Sequence, residues 1–273
     1  QDVGARFYTY LSSLFLVMEA AAENGKVVVV LDRPNPHGHQ IAGPIRSEEW
    51  KSFVGQVPVP VLHGMTLGEM ARVFNGEGWL KGGIHCDLIV IPCEGYAHSD
   101  VWYPRIPPSP NLPTPEAIAL YPSLCPFEPT VVSVGRGTPN PFECIGMPKG
   151  ALGSFAFTPQ PVKGAAPHPK HEGTLCFGQN LHGLGQEWMS SPSSFSWNVI
   201  PDYAHMWEST VPEETFITTS SSLARLSGNL SLEQVLSGEM KMHDFVESWL
   251  PGLRAFEDLR RPYLIYPVQR LTP

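Results

Sequence analysis

The sequence is short of positive charge. Its 18 Lys and Arg residues stand against 26 Asp and Glu, a formal net charge of -8 in 273 residues. No basic stripe is left to neutralise phosphates, so nucleic acid is not expected as a partner. Charged residues make up only 16% of the chain against 42% hydrophobic, a globular balance in a length that allows one large domain or two small ones. Long apolar runs are also missing. None reaches the ~18–20 residues of a bilayer-spanning helix, so no membrane span is expected. The five cysteines, Cys86, Cys93, Cys125, Cys144 and Cys176, form no CxxC and no zinc spacing. They read most simply as buried thiols with no required disulfide. A GxGxxG after a strand, a GxxxxGKS/T, a GxSxG and an HExxH are all absent, so dinucleotide, P-loop, nucleophile-elbow and zincin chemistry have no support. Without clustered His or Cys, neither a metal nor a cofactor is expected. The short His-rich turn PHPKHE, with His168, His171 and Glu172, reads as a solvated loop.

What is present is punctuated hydrophobic sequence. The 29 Pro and 25 Gly fall between apolar runs rather than in a tract, which indicates long structured loops and not disorder. Phe7, Leu11, Leu14, Met18 and Ala21 or Ala22 recur at helical spacing, and Asn24-Gly25 closes that helix. KVVVVLD reads as a strand buried on both faces and ends in the proline-locked LDRPNP loop. Thr66-x-x-Glu69 is a capping box that opens a helix closed by Gly76 or Gly78, and CDLIVIPC follows as a second buried strand. Thr114-Pro115-Glu116 starts a third unit as an N-cap followed by Pro, leading through IALYPSLCPFE to VVSVGRGT, read as another strand ending in a Gly-Arg-Gly turn. Helix–strand alternation of this kind predicts an α/β layer with a parallel sheet, whose ligands sit outside the carboxyl ends of the strands.

Beyond about residue 140 the texture changes. Residues 139–175 are rich in Pro, Gly and Phe, with short strand-like runs SFAFTP and TLCFG. A helical tail follows, opened by Ser231-x-x-Gln234 as a capping box and continued through HDFVESWLPGLRAFEDL before RPYLIYP. The expected division is a Rossmann-like domain over 1–145 and a smaller α+β domain over 146–273.

Polar residues crowd at the predicted strand ends: Asp2, Arg6 and Tyr8 before the first helix, Asp32, Arg33 and Asn35 after the first strand, His63 before the second helix, Ser109 and Asn111 in PPSPNLP, and Glu128, Ser133 and Arg136 around the third strand. Each has a plain alternative. An Asp–Arg pair in a loop can be a structural ion pair, His63 can hold a turn, and Trp50, Trp79 and Trp102 can be core rather than sugar platforms. Glu128, set between prolines in PFEPT, is less easily read as an ordinary surface residue. Carboxylates with aromatics and amides at a sheet mouth suit a glycoside hydrolase, and equally a sugar-binding domain or an esterase.

The stretches QDVGARFYTY, VVVLDRPNP, HGMTLGE, PSPNLP, LYPSLCPFEPTVVSVGRGT, SFAFTPQ and RRPYLIYP, in this order, resemble the DUF1343 family, the NamZ-type exo-β-N-acetylmuramidases of glycoside hydrolase family 171. The resemblance covers essentially the whole chain. It implies a Rossmann-like domain with a smaller C-terminal domain, an active site in the cleft between them, and release of terminal N-acetylmuramic acid from peptidoglycan fragments by an exported enzyme. Members of the family place a segment before the QDVGAR motif that carries a Gly-Pro-Glu-His-Gly sequence with a candidate acid. That sequence does not occur in these 273 residues, so the resemblance implies a sheet incomplete at its N-terminal side. Carried onto this chain, it makes Glu128 the leading carboxylate, with Asp32 and His63 in support. Asp2, Arg6, Tyr8, Arg33, Asn35, Asn111 and Arg136 would form the substrate-binding wall, an Arg partnering the lactyl carboxylate. The competing reading is a non-catalytic muropeptide- or sugar-binding module, or an inactive fragment of the hydrolase.

Overall fold

The computed structural model describes residues 1–150, 152–191 and 194–269. The chain forms two compact units, Gln1–Tyr103 with Val246–Pro273, and Pro104–Phe245. The sequence reading placed its boundary near 145 instead. The change of texture at 140 does not mark the division, because Thr114 at the start of the third helix already hydrogen-bonds Glu143.

In the first unit, α1 (Tyr10–Glu23) ends at the expected Asn24 cap, with Gly25 in the left-handed region. Strand β1 (Val28–Leu31) and strand β2 (Leu88–Ile91) pair in parallel, Val28 opposite Leu88 through Leu31 opposite Ile91. Between them lies α2 (Leu67–Gly76), opened by a capping box in which Thr66 and Glu69 each cap the other's main chain. Leu11, Phe15, Met18, Val30, Met70 and Phe74 form the core, with Val28, Leu88 and Val90 packed on it.

Both strands were expected to be buried on both faces, and they are not. Val29, Leu31, Ile89 and Ile91 are exposed, Leu31 by 72%. Helices α1 and α2 cover one side of the pair, and among the described residues no further strand joins it. An unbroken β-branched run shows that a strand is stable, but it does not count the layers packed on it.

The second unit holds α3 (Pro115–Leu124), capped by Thr114 Oγ1 with Pro at the first turn as the sequence indicates. Strands β3 (Cys144–Met147), β4 (Phe155–Phe157) and β5 (Cys176–Asn180) form an antiparallel sheet of order β3-β5-β4. Helices α4 (His182–Met189), α5 (Val199–Thr210), α6 (Ser220–Ser227) and α7 (Ser231–Leu236) complete it. The long α8 (Met242–Arg260) leads the chain back into the first unit. Phe127 and Tyr203 meet edge-on at 5.4 Å in the core of the second unit. Ser231 is not a cap: Leu230 occupies that position, and the Asn229 side chain accepts the Ser231 N–H at 2.9 Å.

VVSVGRGT is not a strand. Within it Ser133 makes an isolated bridge with Gly146, and Thr130, just before it, makes one with Ile217. Its main chain is satisfied from elsewhere, as described below. The five cysteines are free thiols, four of them buried.

Candidate active site

The structure sorts the candidate residues into two groups, one in each unit. In the first unit a cavity of about 120 Å³ is lined by Asp2, Tyr10, Asp32, Arg33, Asn35 and Thr66 among others. It lies at the carboxyl end of β1 and the N-terminus of α2, where a parallel sheet is expected to bind. Asp32 is buried, and its carboxylate accepts Gly68 N–H at 2.8 Å, Thr66 Oγ1–H at 2.6 Å and Tyr266 O–H at 2.7 Å. It is therefore a hub that fixes the first turn of α2 and the C-terminal segment. Gly68 has no alternative, because a Cβ there would fall 2.7 Å from the Asp32 carboxylate. Asn35 is equally committed: its amide donates to Met65 O and accepts His37 N–H, both at 2.8 Å. Gly4, with φ of +76°, lies against Asn35, where a Cβ would meet Oδ1 at 2.0 Å.

Asp2 is buried, with one carboxylate oxygen accepting Gly4 N–H at 2.7 Å. Burial pushes its carboxyl up to about 7, against the pull of the Gly4 and Val3 N–H groups. Arg33 is exposed at the rim. Tyr8 stacks on Tyr10 with ring centroids 5.6 Å apart, so these two tyrosines form one aromatic edge.

Tyr8 itself is not in this cavity's lining, and neither are Arg6 and His63. Arg6 is fully buried and its guanidinium donates to Pro44 O and Val59 O, both at 2.8 Å. It was expected to bind substrate, but these bonds hold the 44–59 loop. His63 is also fully buried, and its Nδ1 accepts Met65 N–H at 3.3 Å. Burial, reinforced by Arg260, lowers its imidazole to about 3. A neutral ring of this kind orients but does not exchange protons near neutrality. The folded value lies below the unfolded one, so its contribution to stability is present above about 6.5 and is lost as pH falls through about 3. Imidazole NMR of the native protein should show His63 neutral, with its proton on Nε2, from pH 8 down to about 4.5. Titration with a midpoint above 6 would contradict this.

In the second unit a larger cavity, about 380 Å³, is lined by Glu128, Ser133, Arg136, His168, Pro169 and Lys170 among others. One guanidinium nitrogen of Arg136 lies 3.2 Å from both Glu128 oxygens. Gly135 and Gly137 flank Arg136 with φ of +75° and +84°, so the expected Gly-Arg-Gly turn is present and presents this arginine. Asn111 is not in the lining; its amide donates to Ala165 O at 2.8 Å and ties down the loop next to it.

The PHPKHE turn is not simply solvated. His168 is exposed, but Lys170 and His171 are half-buried. Lys170 Nζ donates to Glu128 O and Val132 O at 2.9 Å, to Phe127 O at 3.3 Å, and to Thr130 O. Burial lowers its ammonium to about 8, with Glu128 acting in the opposite direction.

Other residues escaped the sequence reading. Glu69 looked like a cap only, yet it is fully buried and its Oε1 also accepts from His98 Nε2 at 3.0 Å, Ile265 N at 2.8 Å and Tyr266 N at 3.3 Å. Glu143, also buried, lies 2.5 Å from His182 Nδ1, and this contact raises the half-exposed imidazole. Capping chemistry gave a signal for Glu69, while nothing local marked Glu143.

Residues 1–116 match the family model described as exo-beta-N-acetylmuramidase NamZ, N-terminal, and residues 119–266 match its C-terminal counterpart. The chain is 36% identical to the peptidoglycan beta-N-acetylmuramidase NamZ of Bacillus subtilis (strain 168) across 97% of its own length, and it spans 66% of that relative. A crystal structure of a DUF1343 family protein from Bacteroides fragilis NCTC 9343 superposes with a TM-score of 0.90 at 40% identity, covering 98% of this chain and 74% of that one. A second DUF1343 structure from the same organism gives 0.78 at 24% identity, with 97% and 73% covered, and supports the fold alone.

Proposed function

The chain belongs to the NamZ family, and on that premise we propose that it is part of, or is itself, an exo-acting β-N-acetylmuramidase that releases terminal N-acetylmuramic acid from peptidoglycan fragments. The observation that carries this reading is that both family models match in order and together account for nearly the whole chain.

Glycoside hydrolysis needs a carboxyl group to serve the leaving oxygen and a second group to serve water or the anomeric carbon, around a transition state of oxocarbenium character. Glu128 is the carboxylate that lines the larger cavity, with its side chain about one-third exposed. Held by Arg136, it is an acceptor suited to stabilising positive charge that develops on the sugar. In the first unit taken by itself, Asp2, carrying a proton up to about pH 7, can donate a hydrogen bond to a sugar oxygen in that unit's cavity. Arg33, at the rim of the same cavity, supplies a guanidinium for the lactyl carboxylate of a muramic acid bound there. Asp32 and Asn35 form part of the wall of that cavity, and His63 holds the Met65 N–H next to Thr66, which also lines it. Export to the wall compartment is part of the same proposal, and recovery of the native protein in the cytosolic fraction alone would overturn it.

The test is hydrolysis of a chromogenic β-N-acetylmuramic acid glycoside by the full-length gene product. Release of the chromophore is expected, and none from folded protein rejects the activity. A binding-only reading has one observation in its favour: Asp32 and Glu128 both already carry donors. It requires saccharide affinity, lost in Arg33→Ala, with no cleavage.

A further inference from the structure

The main chain from Phe127 to Val132 leaves no carbonyl without a donor, although the segment belongs to no strand. Pro129 O accepts from Thr218 N at 2.9 Å, and Val131 O lies 2.6 Å from His171 Nε2. The other four, of Phe127, Glu128, Thr130 and Val132, converge on the single nitrogen of Lys170. Four carbonyl dipoles aimed at one point repel one another unless a cation sits there, and an ammonium with three N–H groups fills this place only by sharing a proton. The arrangement resembles the oxygen ring by which carbonyls replace the hydration shell of a monovalent ion, with the ion covalently attached. Glu128 lies inside the curved segment, and Arg136, which it binds, follows in the next turn.

We propose that Lys170 is the positioning residue for the Glu128–Arg136 pair: its ammonium acts as a tethered cation in a carbonyl cage, and the cage curves residues 127–132 so that Glu128 lines the cavity. The functional part of this proposal rests on the saccharide reading above. Lys170 does not touch the reacting atoms in this role. It acts through the main chain of Glu128.

In the wild type, reductive methylation of the native protein should modify exposed Lys149 and Lys163 while sparing Lys170. Equal labelling of Lys170 overturns the cage without any variant having to fold. Lys170→Ala leaves room in the cage and Lys170→Met fills it with an apolar stem. Propylammonium or K⁺, but not Na⁺ or Li⁺ at equal ionic strength, should restore several degrees of Tm in Lys170→Ala and leave Lys170→Met unchanged. On the full-length gene product both variants should lose about tenfold or more in kcat, with KM changed by less than about threefold, and propylammonium should return at least half of the Lys170→Ala loss. Tm of Lys170→Ala insensitive to these cations, or kcat unchanged in a folded variant, overturns the proposal. A wild type without hydrolytic activity rejects the functional reading and with it the catalytic part of this one, while labelling and Tm still decide the cage.

Discussion

Glu128→Gln in the full-length gene product is expected to lower kcat on a β-N-acetylmuramic acid glycoside by about 10²–10⁴-fold with little change in KM, a loss of about 3–5 kcal/mol of transition-state stabilisation. The substitution keeps shape and one acceptor oxygen but removes the charge. Effects through folding should be small. The Glu128 and Arg136 side chains are 31% and 39% exposed, and a partly solvated pair of this kind contributes about 1 kcal/mol or less. The Lys170 contact uses the Glu128 main-chain oxygen, which the substitution leaves in place.

The division between kcat and KM decides which role the carboxylate has. If Glu128 serves the reacting sugar, turnover falls and affinity is retained. If it only aims Arg136 at the substrate, KM rises and kcat is largely kept, and Arg136→Ala then reproduces the effect. Wild-type values of both constants in Glu128→Gln would leave the ion pair a surface contact and remove Glu128 from the mechanism.

Local chemistry was legible where cause and effect are close in sequence. The Thr66–Glu69 box, the Thr114–Pro115 start of α3 and the Asn24-Gly25 stop all form as their residue types dictate. The βαβ pairing followed from two apolar runs with a helix between them. The third predicted strand failed for a reason the run VVSV does not contain. Its upstream carbonyls are taken by Lys170 and His171, about 40 positions away, rather than by a neighbouring strand. Long-range side-chain donors have no periodicity, so a lysine between prolines and histidines looks like solvated loop. Asp32 illustrates the converse: the sequence marked it as functional, and it proves to be a hub whose three donors come from Thr66, Gly68 and Tyr266. Its link to Tyr266 spans 234 positions, beyond the reach of any local motif. Arg6 and Arg33 read alike in their loops, but one is fully buried and the other exposed.

That difference sets the second large effect. Arg6→Ala is expected to destabilise the first unit by about 3–5 kcal/mol, read as a fall in Tm of roughly 10 °C. Arg6 N–H bonds Val61 O at 2.8 Å, and neighbouring Ala5 bridges Leu62, which also bridges Ala42. The guanidinium then fastens the same loop from within through Pro44 O and Val59 O. Removing it leaves buried acceptors without their charged donor and opens a void the size of a long side chain. The site is already electrostatically costly: burial, with Arg46 nearby, lowers the guanidinium to about 9. One terminal guanidinium nitrogen reaches both carbonyls from the far end of the long side chain, a place that an ammonium on a shorter stem does not reach without moving the loop. Arg6→Lys should therefore recover only part of the loss. If Arg6 instead bound substrate, as its motif suggested, Arg6→Ala would keep its Tm and lose affinity for muramic acid saccharides. Denaturation and titration of the same variant separate the two roles: a lowered Tm with unchanged affinity in the remaining folded protein identifies Arg6 as the brace of the loop.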